Sequence, residues 1–422
     1  MSKPKFVIIE DDSATAEIQK ALLVRAGYEV DVVLDAANSI DSLLNLKPDI
    51  VIIDIMMPGM DGLEVVRRVR LLKELAHLKI IVVSAKNYAA DRERALAMGA
   101  NGMLLKPVSP TTFVADVLAL AADNIDLTYW GVRGTLPVPG RKTLRYGGNT
   151  SCFTVELPRD QFLILDAGSG IRELSNHIMA TRSGKMAAKI LITHPHWDHI
   201  NALPFFVPLY IPGNEFEIMG PSQGARVMRE IIGAQMDGTY FPITLKELGA
   251  RVFFRNLSEE EVTFGDFTIR TMLLSHPGNC LGYRISSSGR SFCYITDNEL
   301  YPKGTPGYQE SFQEKLVEFV KDCDVLLIDS TYTDQEYKAH VNWGHSGVGE
   351  VAALAHAAGV KRLHLMHHDP AQSDDDIDRK LAEAQDHLAR LGSKVICTAP
   401  PEGSRFRLGA SGQFVELAPL FT

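Results

Sequence analysis

Through the first 122 residues, short continuous apolar runs alternate with longer stretches in which apolar positions recur every three or four residues. The runs are Phe6–Ile9, Ile50–Ile53, Ile80–Val83 and Met103–Leu105, and the periodic stretches include Ala14–Ala26, Leu63–Leu75 and Tyr88–Met98. A strand buried on both faces has no polar side to show. Runs of this kind therefore predict a parallel sheet with helices packed on either face, a doubly wound α/β unit. In such sheets ligands sit beyond the carboxyl ends of the strands. Polar groups occupy those places: Glu10 and Asp11 after Phe6–Ile9, Asp54 after Ile50–Ile53, Ser84 after Ile80–Val83, and Lys106 after Met103–Leu105.

From Tyr129 the pattern changes. Gly- and Pro-rich turns separate short β runs, among them Phe153–Leu157, Phe162–Leu165 and Lys189–Thr193, with helices interspersed. A helix is expected over Gly349–Ala358 and a strand over Arg362–Leu365. Tyr301–Tyr308 reads as a Pro/Gly loop, and the acidic run Ser373–Asp378 as a solvated helix start. No solenoid repeat or low-complexity tract is visible. The expected organisation is a first domain over residues 1–123, a short linker over 124–128 and a second domain over 129–422.

Composition narrows the class. The 422 residues, 45% of them apolar, suffice for two or three folded domains. No apolar run reaches the roughly 20 residues of a membrane span, and the N-terminus lacks the apolar core of a secretory signal. The five cysteines are scattered and form no Cys-x-x-Cys, which fits a reducing compartment. A cytoplasmic protein without a membrane partner is expected. Residues 1–122 carry 14 Lys and Arg against 16 Asp and Glu, and the remainder 29 against 36, so the two parts stand at −2 and −7. Neither offers the basic footprint of a strong nucleic-acid binder.

Three carboxylates converging on one sheet edge repel each other unless a cation lies among them. Glu10, Asp11 and Asp54 make a hard-oxygen site suited to Mg²⁺. Asp54 can then accept a phosphoryl group whose oxygens Lys106 and Ser84 hold. Acids at strand ends also cap helices, and Asp12 or Ser13 is expected to do so. Glu10-Asp11, the stretch Asp54-Ile55-Met56-Met57-Pro58-Gly59-Met60-Asp61-Gly62, Ser84-Ala85 and Lys106-Pro107 together resemble a response-regulator receiver domain. The resemblance implies a flavodoxin-like fold, phosphorylation of Asp54, and a sensor histidine kinase or other phosphodonor as partner. Receivers usually carry an aromatic switch residue three positions before the lysine, and here Met103 stands there.

In the second part, Thr193-His194-Pro195-His196-Trp197-Asp198-His199 follows a strand-like run. It sets four metal-binding side chains within six residues. Imidazoles suit zinc and other borderline metals, and a carboxylate can complete the shell. His194 and His196 can point the same way from an extended loop, with Asp198 and His199 turned to a second metal. His276, Asp297 and His367 each follow a further apolar run. This set resembles the metallo-β-lactamase superfamily, from about Tyr129 onward. The resemblance implies an αβ/βα sandwich with metals at the strand edges. One ion would take His194, His196 and His276, and a second Asp198, His199 and His367, with Asp297 bridging and His368 the rival for the last place. The cofactors implied are two transition-metal ions, zinc first, with manganese or iron as alternatives. Asp166, in Asp166-Ala167-Gly168, matches an early element that supports the histidine loop.

Two metals can clamp a phosphodiester, but they can also open a lactam or a thioester. Asp297 stands where true β-lactamases tend to carry Cys. Asp329-Ser330-Thr331-Tyr332 and Gly344-His345-Ser346 resemble the ribonuclease Z branch. That resemblance implies that His345 meets the scissile phosphate with Asp329 behind it. Asp198 is expected to hold a metal and to orient the attacking hydroxide. Trp130–Gly134 and Tyr146–Thr150 look like features of small phosphodiesterase-like members, with Arg133 and Asn149 candidates for substrate contact or for purely structural roles. Residues 200–275 hold 6 Lys and Arg against 9 Asp and Glu, so no basic arm for tRNA is inserted. Leu203–Ile211 and Tyr240-Phe241-Pro242 could stack a base, or could be core. The expectation is a phosphorylation-regulated response regulator, homodimeric where phosphorylation acts through assembly. Its binuclear phosphodiesterase output would act on a cyclic nucleotide or small nucleotide signal. A nuclease on short RNA or DNA and a non-catalytic metal-containing binding module are the alternatives.

Overall fold

A computed structural model describes residues 3–75, 77–85, 94–96, 98–158, 161–182, 185–409 and 413–421. The chain forms two compact units, the first built on Met1–Asp123 and the second beginning at Asn124. In the first, β1 (Lys5–Ile9), β2 (Glu29–Val33), β3 (Ile50–Asp54), β4 (Lys79–Ser84) and β5 (Gly102–Leu105) make a parallel sheet in the order β2-β1-β3-β4-β5. Alternate residues of each central strand enter different cores: Val7, Ile9, Val51 and Ile53 one, Phe6, Ile8, Ile50 and Ile52 the other. That double burial makes these strands legible as apolar runs. β2 is an edge strand with only Val30 buried, so it leaves no such run. The helix expected over Tyr88–Met98 lies outside the described residues except for 94–96 and 98. Strand order reverses between β1 and β3, the place where a ligand site is expected.

The second unit is a four-layer αβ/βα sandwich. Its first sheet, in the order β11-β10-β9-β8-β7-β6-β19-β20, is built from β6 (Ile125–Gly131), β7 (Cys152–Leu157), β8 (Gln161–Leu165), β9 (Ala187–Leu191), β10 (Glu215–Pro221), β11 (Arg251–Leu257), β19 (Arg405–Leu408) and β20 (Phe414–Leu417). The other sheet runs β12-β13-β14-β15-β16-β17-β18, from β12 (Glu261–Phe264), β13 (Phe267–Leu273), β14 (Leu281–Ser287), β15 (Arg290–Ile295), β16 (Val325–Asp329), β17 (Arg362–Met366) and β18 (Ile396–Thr398). Between the sheets pack Leu127, Val155, Leu163, Tyr283, Phe292 and Leu327. Helix Ile171–Thr181 covers the outer face of the first sheet. Helices Glu310–Val320, Val348–Ala357 and Asp374–Arg390 cover the other.

Three expectations need correction. The joint placed at Asn124–Thr128 is not a free linker, because Ile125 already begins β6, paired with β7 and β19. Only Ala122–Asn124 separate that strand from the helix Phe113–Ala121. The run Lys189–Thr193 leaves the strand at Leu191, and Thr193 instead binds the Asp166 carboxylate through its N–H and hydroxyl. The acidic start at Ser373–Asp378 is a capped helix, but Asp374 is buried and accepts the N–H groups of Arg145 and Tyr146. The five cysteines are buried and free. Among the described residues no helix is long and apolar enough to cross a membrane.

Candidate functional site

The polar groups of the second unit converge because its strands end at one edge and their next residues turn sharply. Asp166, Asp297 and His367 follow β8, β15 and β17 with φ of 58°, 45° and 58°. A left-handed backbone at a non-glycine residue is unfavourable, and here it swings each side chain from strand direction to sheet edge. The loop after β9 brings His194, His196, Asp198 and His199, and the loop after β13 brings His276. Room for His367 depends on Gly134, where a Cβ would stand 2.2 Å from its ring Cε1.

Two donor groups share Asp297. One joins His194, His196, His276 and Asp297, and the other Asp198, His199, Asp297 and His367. Asp297 Oδ2 lies 3.5 Å from His194 Nε2 and 3.7 Å from His276 Nε2. Its Oδ1 lies 3.1 Å from both His199 Nε2 and His367 Nε2. Asp198 Oδ2 approaches the same two nitrogens at 3.1 and 3.2 Å and accepts the Thr135 N–H. Donors bound at 2.0–2.2 Å to a shared ion stand roughly 3.0–3.5 Å apart, close to the 3.1–3.7 Å found. His194 Nε2 is buried without a hydrogen-bond partner, a costly state that a divalent ion would relieve. The residues present therefore fit two transition metals.

The outer contacts orient these donors. Asp166 accepts from His199 Nδ1 at 2.8 Å and from the Tyr294 hydroxyl at 2.8 Å, which leaves His199 Nε2 to face the centre. His276 Nδ1 donates to the Gly344 carbonyl at 3.0 Å, and His367 Nδ1 meets Thr331 Oγ1 at 3.2 Å. Such partners fix ring orientation in metal sites. Burial pushes His194, His196 and His276 below the usual histidine value, toward the neutral form that ligates metals. At His199 burial acts the same way, but Asp198, Asp297 and Asp166 outweigh it and push the imidazole well up. The pocket calls for positive charge.

Asp329 ends β16, wholly buried, and receives N–H bonds from Asn298 and Thr331. Its Oδ2 lies 2.7 Å from His345 Nδ1. Burial would depress His345, but the Asp329 carboxylate holds it up at about 9. The His345 ring stacks on His367, with centroids 4.9 Å apart. His368 belongs to neither donor group. It is buried with both ring nitrogens unpartnered, and the charges of Lys380 and Arg133 act on it.

Arg133 is wholly buried and donates to the carbonyls of Gly147, Asp369 and Gln372, while Asn149 binds Glu402. Both are structural here. Of the suggested base-stacking residues, Leu203, Phe206 and Leu209 are core, whereas Phe205 and Tyr240 are exposed. The sequence placed Gly134 within the Trp130–Gly134 stretch but gave no signal for Thr135 or Lys380.

In the first unit Glu10, Asp11 and Asp54 form a third acidic group beyond β1 and β3. Lys106 Nζ lies 2.8 Å from Glu10 Oε2 and 2.9 Å from Asp54 Oδ2. Ser84 is buried at the end of β4, and burial raises the Glu10 carboxyl. Asp12 caps the first helix. Gly62 lets that edge close, since a Cβ there would strike the Asp54 carbonyl. Met103 lies half-buried in β5.

Residues 6–118 match the family described as response regulator receiver domain, and residues 162–368 that described as β-lactamase superfamily domain. The phosphate regulon transcriptional regulatory protein PhoB of Rhizobium meliloti (strain 1021) is 35% identical over 117 residues, 28% of this chain and 52% of that protein. The chain thus spans about half the length of that relative. The metallo-β-lactamase fold protein YhfI from Bacillus subtilis is similar over 70% of this chain and 100% of its own, at 20% identity and a TM-score of 0.48. The short form of human tRNase Z is similar over 58% and 93%, at 21% identity and 0.43. Chemotaxis response regulator CheY4 of Vibrio cholerae is similar over 28% and 99%, at 25% identity and 0.27.

Proposed function

Because the chain joins a response-regulator receiver domain to a β-lactamase-superfamily domain, we propose that it is a phosphorylation-regulated hydrolase of phosphodiesters. The substrate class is a cyclic nucleotide or another small nucleotide signal. The Asp329–His345 pair, set against the donor group at His367, carries this reading. A thiolate can leave unprotonated, whereas a departing alkoxide needs a proton donor, as a lactam nitrogen would. His194, His196, His276, Asp198, His199, His367 and Asp297 would hold two divalent ions. Such ions supply Lewis acidity and positive charge to a phosphoryl group. Asp198 orients the attacking water, which the charge of the ions would make easier to deprotonate. His345, its Nδ1 kept by Asp329, offers Nε2 to the leaving oxygen. In the receiver domain Asp54 is the phosphoryl acceptor, with Mg²⁺ on Glu10, Asp11 and Asp54 and with Lys106 and Ser84 on the phosphoryl oxygens.

The test is a substrate screen of Zn²⁺-, Mn²⁺- and Fe²⁺-loaded full-length protein. It covers cyclic mononucleotides, cyclic dinucleotides, short oligonucleotides, a β-lactam and a thioester. Turnover of a small cyclic phosphodiester is expected. Exclusive activity on oligonucleotides, with a steep salt dependence, would make the protein a nuclease. Activity on the lactam or thioester alone would reject the phosphodiester reading, and no activity with any metal would favour a binding module.

A further inference from the structure

The metal-donor groups are mostly buried, but one edge is open. His196 is exposed and His276 half-buried, and they face each other with Nδ1 and Nε2 3.1 Å apart. Large exposed apolar residues adjoin its donors and their partners along the chain. Trp197, between His196 and Asp198, is 83% exposed, the highest value among the large hydrophobic residues. Trp343 is 61% exposed and precedes Gly344, whose carbonyl accepts from His276. Leu136, next to the Thr135 N–H that binds Asp198, is 59% exposed. One exposed tryptophan is ordinary, but three exposed apolar residues, each next in the chain to a group of this centre, mark a candidate binding surface. Trp343 is also braced. Its ring meets His340 edge-on at 4.8 Å, and His340 stacks on Tyr332 at 4.4 Å. His340 Nδ1 in turn meets the Glu336 carbonyl at 2.7 Å.

Resting on the phosphodiester reading above, we propose that Trp197 and Trp343 form an aromatic clamp for the nucleobase of the substrate. The donor groups and their ions take the phosphate, and what lies next to the phosphate meets flat indole faces. Every nucleobase has a π-face to stack on them, so the clamp favours nucleotides over other phosphodiesters without choosing strongly among bases. Trp197 and Trp343 are thus specificity-determining residues, and the class they select is a phosphodiester bearing an aromatic base.

The test compares adenosine 3′,5′-cyclic phosphate with base-free ribose 3′,5′-cyclic phosphate on the metal-loaded full-length protein. Base stacking predicts that Trp197→Ala and Trp343→Ala each lower kcat/KM for the nucleotide roughly 10- to 100-fold. The loss should appear mainly in KM, with metal content intact and the base-free ester nearly unaffected, and Trp→Phe should recover part of it. Equal turnover of the two esters by the unmodified protein, or equal losses in the variants, would overturn the clamp and leave the phosphodiesterase standing. If neither ester is hydrolysed, tryptophan fluorescence decides. The chain has three tryptophans, and Trp130 is buried. Quenching by adenosine 5′-monophosphate but not by ribose 5-phosphate, weakened in each Ala variant, supports the clamp. No quenching, or quenching indifferent to both substitutions, rejects it. Self-association that both Ala variants abolish, without any discrimination between the esters, would assign the rim to a second copy and reject the clamp.

Discussion

Asp297 and His345 touch the same few ångströms of the second unit, yet their chemistry separates them. Asp297 offers one oxygen to each donor group, so Asp297→Ala should lower metal content from two ions per chain to one or none. Turnover should fall by more than the roughly 10–100-fold that loss of an outer-shell partner costs. His345 is absent from the two groups built on Asp297. His345→Ala should therefore keep both ions and lose roughly 10²–10⁴-fold in turnover on a substrate with a poor leaving group. Elemental analysis and kinetics on the same samples check both. Two ions retained by Asp297→Ala would reject the bridge, and near-normal turnover in His345→Ala would remove its proton from the mechanism. The histidine motif was legible in sequence because its donors are adjacent in the chain. The choice between His367 and His368 was not, since two neighbouring histidines after one strand look alike until the backbone turns one toward Asp297.

Helix Asp374–Arg390 shows how an element can hold a site it does not enter. Its buried face carries Lys380, wholly enclosed, with Nζ donating to the Thr331 carbonyl and to Gln372 Oε1. Thr331 in turn bonds the carbonyl of His367, so the lysine braces the strand ends beneath the second donor group. Burial pulls the Lys380 ammonium down to about 7, against opposition from Glu336, Asp329 and Asp369 and with help from Arg133. A group whose folded value is depressed contributes stability at high pH that is lost as pH falls toward that value. From pH 7 to about 10 the folded lysine is neutral while the unfolded one is charged. The protein should therefore gain stability over Lys380→Met across that window, at up to about 1.4 kcal/mol per pH unit. Denaturant unfolding at several pH values measures it, and parallel curves would show that Lys380 keeps an ordinary ammonium. The start of this helix was readable at Ser373–Asp378, but it looked solvated because the sequence does not show that Arg145 and Tyr146 fold against it.

Across the two units, the receiver can influence the proposed hydrolase only through differential stabilisation of two states. Within the first unit Lys79 binds Asp123 through both carboxylate oxygens, and β6 of the second starts at Ile125. A small phosphodonor with Mg²⁺ should label Asp54, and Asp54→Asn should abolish the label. With Met103 in place of an aromatic switch, the proposed shift in hydrolase activity is modest, about 1–3 kcal/mol, or is expressed through dimerisation. Kinetics and sedimentation of labelled and unlabelled protein test it. Identical results with labelling demonstrated would sink the coupling and leave both sites intact.

Both fold classes could be read along the chain, because buried parallel strands and clustered ligands are written in contiguous residues. It also carried most of the donor residues, since each follows an apolar run that ends at a sheet edge. Tertiary structure alone decided what depends on residues far apart in the chain. It showed that Asp297 divides its oxygens between two groups. It placed Glu402 on Asn149 and Arg133 on the carbonyls after His368, taking both out of substrate contact. It also revealed that the supposed linker is a strand, because Ile125–Gly131 gains its partners only from β7 and from β19, nearly three hundred residues later in the chain. Local patterns record what one strand or helix needs, whereas burial, backbone turn and long-range pairing are properties of the assembled chain.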